Sequence, residues 1–271
     1  MLALCLIWLA AVVSPGAARA ADMGFPTDAC QALQTKYPQF KGKTLVDAVN
    51  PHTPGYEALD PKDPSKYVGF DIDLAESLGK CLGFSLTYKP VAFAALLPTL
   101  RAGQADIVIS DIYATSKLAK AADFITYSKV FDGVLVAKGN PKGINGINTS
   151  MCGTTAAENT GFVEVPLVQN LAAACKKEGK PAPKLQLYNN NAQCIQAVLA
   201  GRADNTGKLS KAVALTLPYS VGIAVPKHKH EFRGAIREAL VTLQKAGVEK
   251  TLLTKWSLGA GHEETPRLVT H

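Results

Sequence analysis

The stretch GFDIDLAESLGKCL, residues 69–82, runs from an alternating acidic start directly into an amphipathic pattern. Asp71 or Asp73 is expected to begin a helix, because carboxylates there accept hydrogen bonds from unpaired backbone N–H groups and face the positive end of the helix dipole. The leucines that follow repeat every four residues from Leu74, which predicts a buried apolar stripe. This stretch therefore predicts a helix packed on a core, as in many α/β proteins.

The sequence around this helix alternates between β-prone and helical segments. Thr44–Val49 and Ser85–Tyr88 predict strands on either side of it. Leu96–Leu100 predicts the next helix, which ends at Gly103, and the apolar run Ile107–Ile109 predicts a short buried parallel strand. This β-α-β-α-β order is typical of a doubly wound sheet whose ligand crevice lies at the carboxyl ends of the strands.

The second half of the chain repeats this alternation. We expect strands at Gly133–Ala137, Thr149–Cys152, Lys184–Tyr188 and Val221–Val225, and helices at Phe162–Cys175, Ala192–Leu199, Glu231–Ala246 and Glu249–Trp256. Residues after Leu258 carry no apolar period, so we expect them to fray as a flexible tail at 259–271.

The first residues of the chain predict export. Residues 2–13 form an uninterrupted apolar run that is too short to span a bilayer as a helix, and Pro15-Gly16 ends it ahead of Ala-Arg-Ala at 18–20. We therefore expect a secretory signal peptide at 1–20, cleaved at its end, and a soluble mature protein in the periplasm. A basic segment is missing before the apolar run, which leaves open an upstream start codon or a short uncleaved anchor.

Composition and charge argue against several classes of function. The net charge is +7, but the basic residues are scattered, so we expect a solvated basic surface and no nucleic-acid site. The five histidines, including His228 and His230, do not complete a zinc-binding set, and we expect neither a metal nor a cofactor. No phosphate-binding loop or nucleophile elbow supports catalysis. Hydrophobic residues make up 47% of the chain, which is ample for a core.

The cysteines also suit an oxidising compartment. Of the six, Cys5 would leave with the signal peptide, so an odd number remains and at least one thiol is expected to be unpaired. Two pairings are hypotheses. Cys30–Cys81 would tie the N-terminal extension to the first helix, and Cys175–Cys194 would link the ends of two successive elements in the second half.

Further sequence blocks follow the opening stretch in order: LPTLRAGQAD at 97–106, ADF at 122–124, GRAD at 201–204 and YSVGIAVPK at 219–227. With them, the chain resembles the bacterial family 3 solute-binding proteins, the periplasmic receptors of polar amino-acid ABC importers, over about residues 44–256. The resemblance implies a type 2 periplasmic-binding-protein fold, in which two doubly wound α/β lobes are joined by a two-segment hinge, here near Tyr127–Gly133 and Leu217–Gly222.

The resemblance also divides the chain into parts. We expect the signal peptide at 1–20, an N-terminal extension at 21–43, the first part of lobe one at 44–132, lobe two at 133–221, the C-terminal helices of lobe one at 222–258, and the tail at 259–271.

The chain departs from the family where the ligand would bind. Members that bind free amino acids hold the α-carboxylate with an arginine in a turn after the third strand, a bidentate contact that other residues cannot reproduce. Leu118 stands at that place, and Lys117 or Lys120 could act only as point charges. Asp111 with Tyr113 puts a carboxylate and an aromatic ring at the strand's carboxyl end, which favours a cation or an amine.

The resemblance places six further candidates at the cleft: His52, Tyr56, Phe93, Ser110, Thr154 and Thr155. The two threonines follow Gly153 in a turn ahead of a predicted helix, where N–H groups and hydroxyls suit a ligand carboxylate. These candidates could equally be packed loop residues or ordinary caps, and Asp111 could cap the turn after its strand. Glu158, one turn into that helix, is expected to be solvated.

The chain is shorter than its relatives after Asp204. Related receptors have a strand with an aspartate for the ligand's ammonium, then a helix and another strand, before the segment that begins here at Tyr219. A helical crossover alone needs about a dozen residues, so these three elements do not fit. We interpret Asn205–Lys208 as a turn and Ala212–Leu217 as one strand at most. Either the pocket wall is rebuilt for another solute, or the sequence is damaged and no longer closes.

The function expected from this reading is capture of a small amino-acid-like or amine solute by lobe closure, without catalysis. Its partners would be the solute and an inner-membrane ABC permease, and the receptor would be a monomer. The alternative is an enzyme resembling the periplasmic cyclohexadienyl dehydratases, with Asp111 and His52 as the acid and base. A degenerate receptor or a sensor that reuses the cleft stays open as well.

Overall fold

The computed structural model describes residues 24–51, 53–207 and 214–271. The predicted signal peptide at 1–20 and the candidate His52 lie outside the described residues. The helices are α1 (Thr27–Lys36), α2 (Phe70–Leu82), α3 (Leu96–Arg101), α4 (Glu164–Lys177), α5 (Asn191–Leu199), α6 (His230–Lys245) and α7 (Val248–Lys255). The strands are β1 (Thr44–Val49), β2 (Ala58–Leu59), β3 (Tyr67–Val68), β4 (Ser85–Pro90), β5 (Asp123–Val136), β6 (Thr155–Asn159), β7 (Lys184–Tyr188), β8 (Asn205–Gly207), β9 (Ala214–Val225) and β10 (Leu268–Val269).

Lobe one is built around β1, β4 and the C-terminal half of β9, with α1–α3, α6 and α7. Strands β1 and β4 are parallel, with Thr44 opposite Ser85. The predicted third strand, Ile107–Ile109, is present as two isolated bridges, Ile107 to β1 and Val108 to β9. These residues are fully or almost fully buried, so the apolar run fills the centre of the lobe as expected.

Lobe two is built around β6, β7 and β8, with α4 and α5. Strand β6 runs parallel to both β7 and β8, and β8 continues antiparallel onto β5. The long strands β5 and β9 belong to both lobes, since their antiparallel pairing extends from Asp123 opposite Val225 to Gly133 opposite Ala214. Two doubly wound lobes joined by two crossing strands are therefore confirmed.

Helix α2 is the apolar helix that the opening stretch predicts. Its stripe residues Leu74, Leu78 and Leu82 are fully buried. Glycine is required at Gly69, where φ is +142° and a Cβ would lie 2.1 Å from the Tyr56 carbonyl oxygen. The first turn is acidic as expected, but the Asp71 carboxylate does not cap the helix and instead bonds to other segments of lobe one.

Two local predictions in lobe two were wrong. The segment Thr149–Cys152 is not a strand but a short 3₁₀ turn at Thr149–Met151, and the strand begins later, at Thr155. Asn205–Gly207, interpreted as a turn, is β8 and lies fully buried between β5 and β6. Pairing on both sides overrides the weak β propensity of these small polar residues. The residues between β8 and β9, 208–213, lie outside the described residues.

The disulfides correct one of the two hypotheses. Cys30 pairs with Cys81, as expected, across α1 and α2. Cys175 pairs with Cys152 rather than with Cys194, because the last turn of α4 lies against the segment that precedes β6, with a Cα–Cα distance of 5.6 Å. Cys194 lies in a different part of lobe two, in a small core under α5, and its thiol forms no disulfide and is buried.

The prediction of a flexible tail at 259–271 was also wrong. Strand β10 pairs antiparallel with β5, and the Glu264 N–H donates to the Tyr127 carbonyl over 3.1 Å. Backbone pairing to an existing strand edge holds this segment without any apolar period of its own. Within the described ranges, no helix is long and apolar enough to cross a membrane.

Candidate functional site

A cavity of about 450 Å³ lies between the lobes at the carboxyl ends of β1 and β7. This is the edge at which open α/β sheets bind ligands. Lobe one contributes Asn50, Pro51, Pro54, Glu57, Ala58 and Leu59, and lobe two contributes Asn189, Asn190, Asn191, Ala192 and Ile195.

A cluster of buried carboxyl groups adjoins this cavity through Glu57. We call Glu57, Asp71 and Asp111 the carboxyl cluster; all three side chains are fully buried. Asp71 Oδ2 accepts the Asp111 N–H at 2.7 Å, and Asp71 Oδ1 accepts the Tyr127 hydroxyl at 2.6 Å. The Ser110 hydroxyl donates to Glu57 Oε1 at 2.9 Å. The cluster thus joins α2, the segment after Ile109 and the loop before β2.

Burial and neighbouring acids favour the protonated form of Asp71 within the carboxyl cluster. Burial raises the pKa of Asp71 well above its usual range, and repulsion from Glu57 and Asp111 and a hydrogen bond with Glu57 raise it further. Two carboxyl groups can share a hydrogen bond only when one of them is protonated. Burial likewise raises the pKa of Asp47, whose Oδ1 accepts the Ile109 N–H.

Asp111 has a strained backbone. Its φ is +39°, in the left-handed region that non-glycine residues rarely adopt. Such strain persists only where the surroundings enforce it, and it is concentrated at functional sites. The bond from the Asp111 N–H to Asp71 is one of the contacts that hold this conformation.

Other sequence candidates in lobe one are used for packing. Ser110 is buried, and its hydroxyl also accepts the Asn50 N–H at 2.8 Å, so it links the end of β1 to the carboxyl cluster. The Tyr56 ring lies in the core, and its hydroxyl bonds to Ser128 and to His262 Nδ1. The Tyr113 ring stacks on Tyr219 with centroids 4.8 Å apart.

Phe93 lies where the two lobes meet. Its ring packs edge to face on Phe162 of lobe two, with centroids 4.6 Å apart. Beside it, a Cβ on Gly161 would lie 3.3 Å from Ala94 Cα, so a glycine permits this close approach. The lobes are therefore in contact at the cleft in this structure.

Thr154 and Thr155 do not form the predicted turn ahead of a helix. They lie at the amino end of β6, away from the cleft, because the strand starts at Thr155. Thr154 Oγ1 donates to the Met151 carbonyl, and the Thr155 N–H donates to Asp204 Oδ2. The turn into α4 is residues 159–163 instead, at the carboxyl end of β6.

The prediction that Glu158 is solvated was also wrong. It lies on β6 with 1% of its surface exposed, and its Oε1 accepts the Gly207 N–H at 3.1 Å. A Cβ on Gly207 would approach Glu158 Oε2 to 2.8 Å, so β8 requires a glycine here.

Leu118 is an apolar packing residue. It is half-buried against a core that contains Ala119, Ala122 and Phe124, and its N–H donates to Thr115 Oγ1. The neighbouring lysines point into solvent as exposed side chains. Leu118 therefore contributes an apolar contact at this turn.

Glu57 and Asn191 line the cavity and are not among the residues that the sequence predicts for the site. Glu57 lies in an irregular loop with no pattern of its own, and only the fold brings it to Ser110 and Asp71. Asn191 is the first residue of α5, two residues beyond the loop start at the end of β7, and the asparagine run between strand and helix was the one available signal. No group of three or more potential metal ligands occurs in the described part of the chain.

Comparisons with known proteins agree with this architecture. Residues 45–259 match the family of bacterial extracellular solute-binding proteins, family 3. The L-cystine-binding protein TcyJ of Escherichia coli K12 is 26% identical over 72% of this chain and 76% of its own length. The arginine-binding protein ArgT of Corynebacterium glutamicum is 27% identical over 59% of this chain, and the match spans about half of that protein (52%).

Solved structures show the same fold. An ancestral arginine-binding protein bound to arginine has a TM-score of 0.68 and 25% identity, over 80% of this chain and 99% of its own. AbpA from Streptococcus pneumoniae, bound to L-arginine, has a TM-score of 0.69 and 20% identity, over 83% and 97% of the two chains. With a matching family over most of its length and the two-lobed architecture, this chain belongs to the bacterial extracellular solute-binding proteins, family 3.

Proposed function

We propose that this protein is the extracytoplasmic receptor of an amino-acid ABC importer and that it captures a small solute with a positively charged group by closing its lobes. The observation that carries the proposal is the carboxyl cluster at the cleft, where Glu57 lines the cavity and contacts both Ser110 and Asp71. Membership of the solute-binding family supports the receptor role, and the disulfides support a location outside the cytoplasm. The partner would be a membrane permease.

The carboxyl cluster supports a cation because three carboxyl groups lie together in a buried place, where a positive charge beside them is favoured. A solute ammonium or guanidinium beside Glu57 would favour the ionised forms of the neighbouring acids and so lower the raised pKa of Asp71. A charge-assisted hydrogen bond contributes about 1.5–3 kcal/mol, which corresponds to roughly 10- to 150-fold in affinity. Two relatives, an arginine-binding protein and an L-cystine-binding protein, support a solute that carries an amino group.

Lobe closure supplies the capture step. The contact of Phe93 with Phe162 joins the lobes across the cleft, and β5 and β9 provide two continuous strands as the hinge. A solute that binds the closed form more tightly shifts the population toward it.

The test is calorimetric titration of the purified protein with four cationic pairs: arginine and agmatine, lysine and cadaverine, histidine and histamine, cystine and cystamine. We expect at least one pair to bind, with proton release that appears as a dependence of the heat on buffer ionisation. The Glu57→Gln variant should bind about 10-fold or more weakly, whereas Glu178→Gln, an exposed glutamate paired with Lys180, should bind as the wild type does. Absence of binding by every pair, or turnover of prephenate or arogenate, would overturn the proposal.

A further inference from the structure

We infer that residues 262–269, which we call the C-terminal strap, splint the hinge at Tyr127, so that the lobes open by bending further along the hinge strands. The strap lies beyond residue 259, where the match with the family ends, so the shared fold assigns it no role. The inference concerns the lobe movement of the proposed function, and its experiment needs no solute, so the two can fail separately.

The register of the hinge strands is irregular at two places. Strands β5 and β9 pair antiparallel, and their register shifts between Thr126 and Ser128 and again between Phe131 and Gly133. A strand bends where an extra residue interrupts the ladder. These two irregularities are therefore the places at which the hinge could bend.

The strap bonds to β5 across the first irregularity. Three hydrogen bonds connect them: from the Thr126 N–H to the Arg267 carbonyl (3.0 Å), from the Glu264 N–H to the Tyr127 carbonyl (3.1 Å), and from the Ser128 hydroxyl to the His262 carbonyl (3.0 Å). Strand β10 continues the pairing along β5, with Leu268 opposite Ile125. Hydrogen bonds on both sides of Tyr127 fix the strand where the register with β9 passes over it. Within the described ranges, Ser128 is the last residue of β5 that the strap bonds, so the second irregularity lies beyond the splint.

The strap also holds the second hinge strand. Ser220 of β9 donates to Glu264 Oε1 at 3.0 Å, and Arg267 Nη2 donates to Ser220 Oγ at 2.6 Å. Arg267 Nε donates to the same glutamate oxygen at 2.9 Å. We call these three residues the strap link. Its centre, Glu264, is only 6% exposed, which shields these bonds from water.

The body of lobe one anchors the strap. Gln244 of α6 donates through Nε2 to the Glu264 carbonyl at 2.8 Å, and His262 Nδ1 lies 3.2 Å from the Tyr56 hydroxyl. The strap therefore fastens the first part of both hinge strands to lobe one.

The splinted residue also supports the carboxyl cluster. The Tyr127 hydroxyl donates to Asp71 Oδ1 at 2.6 Å, while its carbonyl accepts the strap N–H. Bending at Tyr127 would pull this hydroxyl away from Asp71, whereas bending between Phe131 and Gly133 leaves it in place. The strap thus acts as a positioning element that lets the lobes move without disturbing the cluster.

The experiment measures the distance between the lobes of the ligand-free protein by double electron–electron resonance. Spin labels are attached through Lys62→Cys in lobe one and Gln196→Cys in lobe two, both at exposed positions, while the buried Cys194 thiol should stay unlabelled. Arg267→Met breaks the strap link, and Arg101→Met, at an exposed arginine of α3, is the matched control.

Loss of the strap link should add a second place at which the hinge bends. We therefore expect a broader distance distribution in Arg267→Met, and a fall of about 2- to 10-fold in the ratio of molecules with lobes in contact to molecules with lobes apart, the effect of about one hydrogen bond. Arg101→Met should give the wild-type distribution.

Ser220→Ala breaks the same link from β9 and separates the splint from a merely structural role. It should broaden the distribution as Arg267→Met does, and the double variant should change it no further, since both substitutions remove one link. A structural role alone would lower the free energy of unfolding in urea and leave the lobe distances unchanged. Unchanged distances in Arg267→Met, an equal change in Arg101→Met, or additive effects in the double variant would overturn the inference, while the proposed function, which solute titration tests, would stand.

Discussion

The Glu249→Gln substitution tests how a buried acid limits the stability of lobe one. Glu249 lies fully buried in the first turn of α7, and its Oε2 accepts the Gln244 amide at 2.6 Å. Burial raises its pKa from 4.5 to about 8. Repulsion from Glu263 adds to this, and the hydrogen bond from Gln244 opposes it.

The sign of the effect follows from proton linkage. Between pH 4.5 and 8 the folded protein keeps the Glu249 proton that the unfolded chain has lost, so stability falls as pH rises through this window. Each pH unit costs about 1.4 kcal/mol, which gives about 3 kcal/mol at pH 7. The dipole of α7 favours the ionised form by about 0.3–1 kcal/mol, which is smaller and does not change the sign.

In the Glu249→Gln variant, the glutamine side chain has nearly the same shape as glutamate but cannot ionise. The free energy of unfolding of Glu249→Gln should therefore exceed that of the wild type by about 2–3 kcal/mol at pH 7 and equal it near pH 4.5. Urea denaturation followed by circular dichroism at pH 4.5, 6 and 7 measures the free energy of unfolding of the wild type and of the variant, with the disulfides intact. Asp47 and Asp71 also have raised pKa values and make stability fall with pH in the same direction. Their contributions are the same in both proteins, so they cancel in the difference between the two free energies of unfolding. A pH-independent gain, or a loss at pH 7, would refute the reasoning.

Further predictions concern the disulfide, the lobe contact and the strained aspartate. Replacing Cys30 and Cys81 by alanine should lower the free energy of unfolding by about 4 kcal/mol, because the bond closes a loop of 51 residues; a loss below 1 kcal/mol in urea titration would contradict this. Phe93→Ala removes the ring contact with Phe162 from the closed state and should weaken solute binding about 2- to 10-fold by calorimetry, and unchanged affinity would argue against closure through this contact. Asp111→Gly relieves a positive φ and should stabilise the ligand-free protein by about 1 kcal/mol while weakening binding of the cationic pairs; lower stability with intact binding would count against the assigned strain.

Much of lobe one could be predicted because its signals are local. The four-residue spacing of leucines in α2 and the β-prone run of β1 depend on neighbours within a few positions. Strand β1 begins at Thr44 as predicted, and α2 begins at Phe70, one residue before the first of its two predicted starts, Asp71 and Asp73.

Predictions failed where pairing partners lie far apart in sequence. Asn205–Gly207 has weak β propensity, and it became a strand because β5 and β6 bind it from both sides. Cys175 had two plausible partners at comparable separations, and only the docking of α4 selected Cys152. Thr154 and Thr155 carried the composition of a helix cap, but the register of β6 moved the turn to the other end of the strand.

The sequence by itself determined the family and the alternation of strands and helices, since each is a property of short segments. Tertiary structure alone decided the site, because its groups converge from segments far apart: the Asp71 carboxylate meets a backbone N–H 40 residues away. Glu57 and Asn191 share one cavity only after two lobes have closed on it. Burial then sets the protonation of these acids, and burial depends on everything that packs around them.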